Sequence, residues 1–115
     1  MLTPIFQETD VIRIGDTYLR TYNTGTLDTS QMTPRVRMFK RVDGSAMDQP
    51  LFARKKRDNG GDDPYNFALC IPFATTNVMS TEAMYVLTVS FDDGAGNSIP
   101  HGSITLSVTQ GEAHE

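Results

Sequence analysis

The sequence predicts an all-β protein, an antiparallel β-sandwich of about seven strands, and three observations carry that expectation. The first is the pair of runs at 84–91 and 103–109, joined by a glycine-rich turn. Tyr85, Leu87, Val89 and Phe91 alternate with polar or smaller residues, and so do Ile104, Leu106 and Val108. Period-two alternation places these side chains on one side of a pleated ribbon, and that side needs a second layer to cover it. The second observation is a series of shorter β-branched and aromatic runs bounded by Gly, Pro, Asn and Asp, the punctuation of a sandwich. The third is that no segment sustains a helical period, which argues against an alternating α/β architecture.

Each element follows from local residue chemistry. Residues 1–9 read as an N-terminal arm that presents Leu2, Ile5 and Phe6. Residues 10–14 form the first expected strand, closed by the turn pair Gly15-Asp16. Residues 17–22 form the second, rich in residues that suit a pleated surface. A polar loop with Gly25, Asp28, Ser30 and Pro34 leads to the third strand at 35–41, with Val36 and Met38 inward. Asp43-Gly44-Ser45 ends it. Residues 51–53 are a short fourth strand expected at a sheet edge, where Pro50 is tolerated. Residues 55–64 read as a long loop with Asn59-Gly60-Gly61-Asp62-Asp63 at its tip.

The fifth strand, 65–71, points Tyr65, Phe67, Leu69 and Ile71 to one face and Cys70 to the other, and Pro72 stops it. A connection over 75–83 carries Val78 and Met79 toward the end of the core. The two strands of the opening observation then complete the sandwich. The expected domain is 10–110, with a C-terminal tail at 111–115.

The totals narrow the function classes. A chain of 115 residues supports one core. Fourteen acidic against ten basic side chains, a net charge of -4, argue against overall attraction to nucleic acid or to an anionic membrane. One cysteine, Cys70, excludes an internal disulfide framework and a multi-cysteine zinc site. No run approaches the roughly eighteen apolar residues of a membrane span, and the N-terminus lacks the blocks of a secretory signal. Synthesis in a reducing cytoplasm is the expectation.

No enzyme, cofactor or metal is expected. Asp92-Asp93-Gly94-Ala95-Gly96-Asn97-Ser98 is oxygen-rich but lacks the third acidic position and distal glutamate of an EF-hand loop. A hairpin needs glycine and Asn or Asp in any case, and Asp58-Asn59-Gly60-Gly61-Asp62-Asp63 reads the same way. Ser103, Ser107, His101 and Asp92 supply the residue types of a triad without a nucleophile turn. Neither His101 nor His114 has a spacing that would activate Cys70.

Two groups are candidates for binding a partner. Arg54-Lys55-Lys56-Arg57 is the densest basic run, extended by Arg35, Arg37 and Arg41 if they share its face; its plain reading is a charged guard beside an edge strand. The apolar residues Leu2, Ile5 and Phe6, with Phe73, Val78 and Met79, exceed what a solvated loop needs. They either cap the core or contact a neighbouring protein.

The order of motifs carries a resemblance. Gly15-Asp16-Thr17 opens a strand, and Val36-Arg37-Met38-Phe39 follows a polar loop. An apolar strand ends in Ile71-Pro72, and Tyr85-Val86-Leu87-Thr88-Val89 precedes an Asp-rich glycine turn and Gly102-Ser103-Ile104-Thr105-Leu106. Over residues 10–109 this resembles the immunoglobulin-like β-sandwich modules of tailed-bacteriophage virion proteins, including the attachment domain of baseplate receptor-binding-protein adaptors. The Cys and Trp set of antibody domains is missing, which removes the cell-surface receptor reading.

The resemblance implies a non-enzymatic structural protein of a phage virion, made in the bacterial cytoplasm. The expected role is a capsid decoration or cement protein that binds the major capsid protein and itself, as a trimer or dimer. A tail, neck or baseplate connector is the alternative, as is a glycan- or receptor-binding sandwich using Tyr18, Tyr22 and Tyr65.

Overall fold

Residues 6–110 are described by a computed structural model, in which seven strands are divided between two sheets. The strands are β1 (Phe6–Arg13), β2 (Tyr18–Asn23), β3 (Thr33–Lys40), β4 (Leu51–Lys56), β5 (Asp62–Ile71), β6 (Met84–Asp92) and β7 (Ser98–Thr109). One short helix, α1 (Phe73–Thr76), follows Pro72 in the connection between β5 and β6. The sheets have the orders β1-β7-β6-β3 and β2-β5-β4. Grouping the third, sixth and seventh strands against the second, fourth and fifth is the immunoglobulin arrangement.

The expectation of purely antiparallel pairing is corrected at one place. β1 runs parallel to β7, with Phe6 opposite Gly102 and Arg13 opposite Thr109, so the four-stranded sheet is mixed. The same ladder shortens the expected arm, because strand structure begins at Phe6. Gln7, Glu8 and Thr9 carry no apolar alternation, and they are strand because β7 offers them hydrogen bonds. Leu2 and Ile5 lie outside the described residues, as does the 111–115 tail.

The core is made by alternation. Ile12, Tyr22, Val36, Met38, Phe67, Leu69 and Ile71 are buried with Tyr85, Leu87, Val89, Phe91, Ile104, Leu106 and Val108. Full burial of each such aliphatic or Phe side chain stabilises by about 1.5–3 kcal/mol over exposure. β6 and β7 occupy the middle of the four-stranded sheet, as the regularity of their rows predicts. Met79 caps the core at 5% exposure, whereas Val78 beside it is 72% exposed.

Other boundaries move outward. β7 begins at Ser98 rather than 103, and a register shift between Val89 and Ser90 absorbs the irregular stretch near Pro100. β4 and β5 extend toward each other, with Lys56 opposite Asp62. The long loop expected over 55–64 is therefore a tight hairpin connection. Its turn places Gly60 at φ 87° and hydrogen-bonds Arg57 N–H to the Gly61 carbonyl at 2.8 Å.

One polar group spans the core. His101, buried on β7, lies 3.0 Å from the Thr24 carbonyl through Nε2 and 2.5 Å from the Tyr22 hydroxyl through Nδ1. A carbonyl can accept but not donate, so Nε2 carries the proton and Nδ1 accepts from Tyr22. The contact ties β2 in one sheet to β7 in the other. Burial pushes the Tyr22 hydroxyl well above the ordinary phenol range.

Candidate interaction face

The two outer faces of the sandwich differ in chemistry. On the four-stranded sheet the outward rows are Gln7, Ser103, Thr88 and Arg37, then Thr9, Thr105, Val86 and Phe39. Val11 and Met84 flank Ser107 in a third row. Hydroxyls interrupt every row, and Arg35 and Arg37 line the β3 edge, with Arg35 ion-paired to Asp92.

The three-stranded sheet presents something different. Leu19 on β2 is opposite Cys70 on β5, and Cys70 is opposite Leu51 on β4. Leu19 is 70% exposed and Leu51 61% exposed. The next row, Thr21, Ala68 and Ala53, is small throughout. Phe73, at 61% exposure, follows the end of β5 by two residues. Leu19 and Leu51 thus stand in register on a solvent face, without a hydroxyl or charge between them. Lys55 bounds the patch, reaching over the sheet to donate to Thr21 Oγ1 at 3.2 Å.

Strand geometry splits the basic run that the sequence singles out. In β4, Phe52 and Arg54 point inward while Leu51, Ala53 and Lys55 point outward. Arg54 donates to the Thr29 side chain and through Nη2 to the Thr29 and Met32 carbonyls at 2.7 and 2.6 Å. Its guanidinium stands 5.0 Å from the Phe67 ring centre. It holds the 24–32 loop against the sheet. Lys56 pairs with Asp62 at 2.5 Å while its side chain stays 68% exposed, so Lys55, Lys56 and Arg57 are the solvent-facing cations of the run.

The acidic turns are explained by their own backbone. Asp93 accepts from the N–H groups of Ala95 and Asn97 and from Asn97 Nδ2. Asp63 accepts from Tyr65 and Asn66 in the same manner. These donors hold both carboxyls below the usual carboxylate range. Among the described residues, no group of three or more His, Cys, Asp or Glu is placed to hold a metal ion. No described helix is long and apolar enough to cross a membrane.

Along one side of the sandwich an ionic strap joins β1 to β2. Arg20 contacts Glu8 at 2.6 Å and Asp10 at 3.6 Å, and the Tyr18 hydroxyl donates to Asp10 at 2.6 Å. The Tyr18 hydroxyl is therefore engaged within the fold, and Tyr22 is fully buried and presents no exposed aromatic surface. An open hollow of about 570 Å³ is lined by Lys40, Arg41, Val42, Ser80, Glu82, Ala83 and Met84.

Of the residues proposed from sequence to bind a partner, Phe73 is exposed at the start of α1, whereas Phe6 lies on β1 in the four-stranded sheet. Leu19 and Leu51 escaped sequence reasoning. Each is a lone leucine in its own strand, and only the pairing register brings them into one row. Comparison with known proteins finds no matching family model and no matching curated protein.

Proposed function

We propose that this chain is a non-catalytic structural protein of a phage virion, a capsid decoration protein that docks on other virion subunits. The outer face of its three-stranded sheet makes the contact. The observation that carries the docking reading is the exposed row Leu19, Cys70 and Leu51. A row of this kind loses free energy in water and regains it on a partner surface, at about 25 cal/mol per Å² of apolar area covered. The virion setting is supported by the resemblance in motif order described above. The edge strand β4 fits a chain present in many copies, because Pro50, Lys55 and Lys56 discourage uncontrolled strand addition.

The test is sedimentation of phage particles from a lysate of cells carrying this gene. The chain is expected in the particle fraction at a stoichiometry matching a capsid lattice. Recovery in the soluble fraction alone overturns the reading. A few copies per particle would instead place it in the tail or neck.

A further inference from the structure

We propose that the outward rim of β3 is a further interaction surface, which takes an extended acidic segment of another protein with carboxylates at alternate residues. The rim belongs to the four-stranded sheet and does not depend on the role of the apolar row on the other sheet. Strand alternation sets Arg35, Arg37 and Phe39 on one outward side of β3. The Arg41 N–H, bonded to the Met84 carbonyl at 2.8 Å, carries the same column one step further. Four of the chain's ten basic side chains, Arg35, Arg37, Lys40 and Arg41, therefore fall on this strand and its exit, and no acidic residue occurs from 33 to 41. On a chain of net charge -4 this is a local reversal of sign.

The cations of the column are available. Arg37 and Arg41 are exposed and form no ion pair among the described residues. Arg35 meets Asp92 through Nε and stays 68% exposed, which leaves its two Nη groups outside that pair. Asp43 and Asp48, on the segment that follows, pair with none of the three. A hollow of about 440 Å³ opens beside Arg35, Arg37 and Gln49, and the hollow of about 570 Å³ beside Lys40 and Arg41 continues along the strand. Asp92 at one end and Glu82 at the other bound the cationic stretch. From Arg35 to Arg41 it spans about 20 Å, at about 3.3 Å per residue.

Spacing selects the ligand. Outward side chains two residues apart on a strand stand about 6.6 Å apart, the repeat of the side chains on one side of an extended peptide. Each guanidinium presents a planar fork of donors that matches a carboxylate. Phe39, half-buried and opposite Val86, gives the partner an apolar floor between the charges. A nucleic-acid strand fits less well, because one half-buried ring is no stacking platform for successive bases and the net charge repels a polyanion. Recognition runs through side chains and not through strand addition at the upper part of this edge. There the Met47 N–H already donates to the Met38 carbonyl at 2.9 Å and the Lys40 N–H to the Ser45 carbonyl at 2.8 Å.

The test is fluorescence anisotropy of a labelled peptide that alternates glutamate with threonine, titrated with the purified full chain. Saturable binding is expected, weakening about tenfold between roughly 50 and 300 mM salt as the exposed charges are screened. The counterpart with glutamine in place of glutamate should not bind. Arg37→Gln and Arg41→Gln should each weaken binding about threefold. Together they should weaken it about tenfold, because the two positions are about 13 Å apart and act independently. Lys55→Gln combined with Arg57→Gln, on and just after β4, should keep the wild-type affinity, and far-UV circular dichroism should be the same for all variants. The proposal is overturned if the glutamine peptide binds equally well, or if the Arg37 and Arg41 double variant binds as the wild type does. It is also overturned if a peptide with the same glutamates in one contiguous block binds as tightly as the alternating one. Tighter binding of an oligothymidylate, lost in the same double variant, would overturn it in favour of a nucleic-acid site.

Discussion

The hydroxyl of Tyr85 accepts the backbone N–H of Ser80 at 3.0 Å, closing the corner through which the chain enters β6. Its ring is buried at 2% exposure. A tyrosine at this entrance, bonded to backbone a few residues upstream, is the tyrosine corner of immunoglobulin-like sandwiches. Leu87 stands two residues later, where antibody domains carry the second cysteine of their inter-sheet disulfide. Here aliphatic packing replaces the covalent link while the corner is kept.

Tyr85→Phe retains the ring and removes the hydrogen bond. It should lower unfolding free energy by about 1–2 kcal/mol, the cost of a backbone N–H losing its partner. Urea denaturation should show a lower midpoint with an unchanged slope. A changed slope would mean that the corner governs more than its own bond.

Arg54 predicts a contrast within the basic run. Arg54→Ala removes hydrogen bonds to Thr29 and Met32 together with the contact over Phe67. A loss of about 2–3 kcal/mol is expected. Lys55→Ala, on the solvent side, should stay within about 0.5 kcal/mol. Equal effects in thermal denaturation would contradict the structural role given to Arg54.

The strap between β1 and β2 makes stability depend on pH at both ends of the scale. The Tyr18 hydroxyl, followed by the Val11 N–H and Arg20, outweighs partial burial and holds the Asp10 carboxyl below its ordinary value of 3.8. A lowered carboxyl contributes stability that is full above about pH 4 and is lost as pH falls through the folded value. Burial, aided by the bond to Asp10, pushes Tyr18 up from 10.0 to about 12. A raised phenol contributes stability that is full below pH 10 and is lost as pH rises through about 12. Tyr18→Phe should flatten the difference at the alkaline end and cost about 1.5 kcal/mol at neutral pH. Urea midpoints of both proteins between pH 3 and 12 would show it, and parallel curves would contradict it.

Much of the fold is legible in the sequence because alternation is a local signal. The faces of Tyr85 to Phe91 and of Ile104 to Val108, the inward Val36 and Met38, and the outward Cys70 all follow from period two. What escapes is set by partners distant along the chain. Gln7 and Glu8 are strand because β7 lies beside them, and Arg54 is inward because a strand, not a loop, carries it. Leu19 and Leu51 become one surface only through Cys70, which both oppose. His101 gains its place from Thr24 and Tyr22, more than seventy residues away. No local pattern encodes these distances.

The central claim is that the face around Cys70 is covered when the protein is in place. Its most direct test is the rate of Cys70 alkylation by a small maleimide, measured on the free chain and on assembled particles. The account predicts ready labelling of the free chain and slowing of at least about tenfold in the particle, as expected for a side chain sealed within an interface. Equal rates in the two states would contradict it.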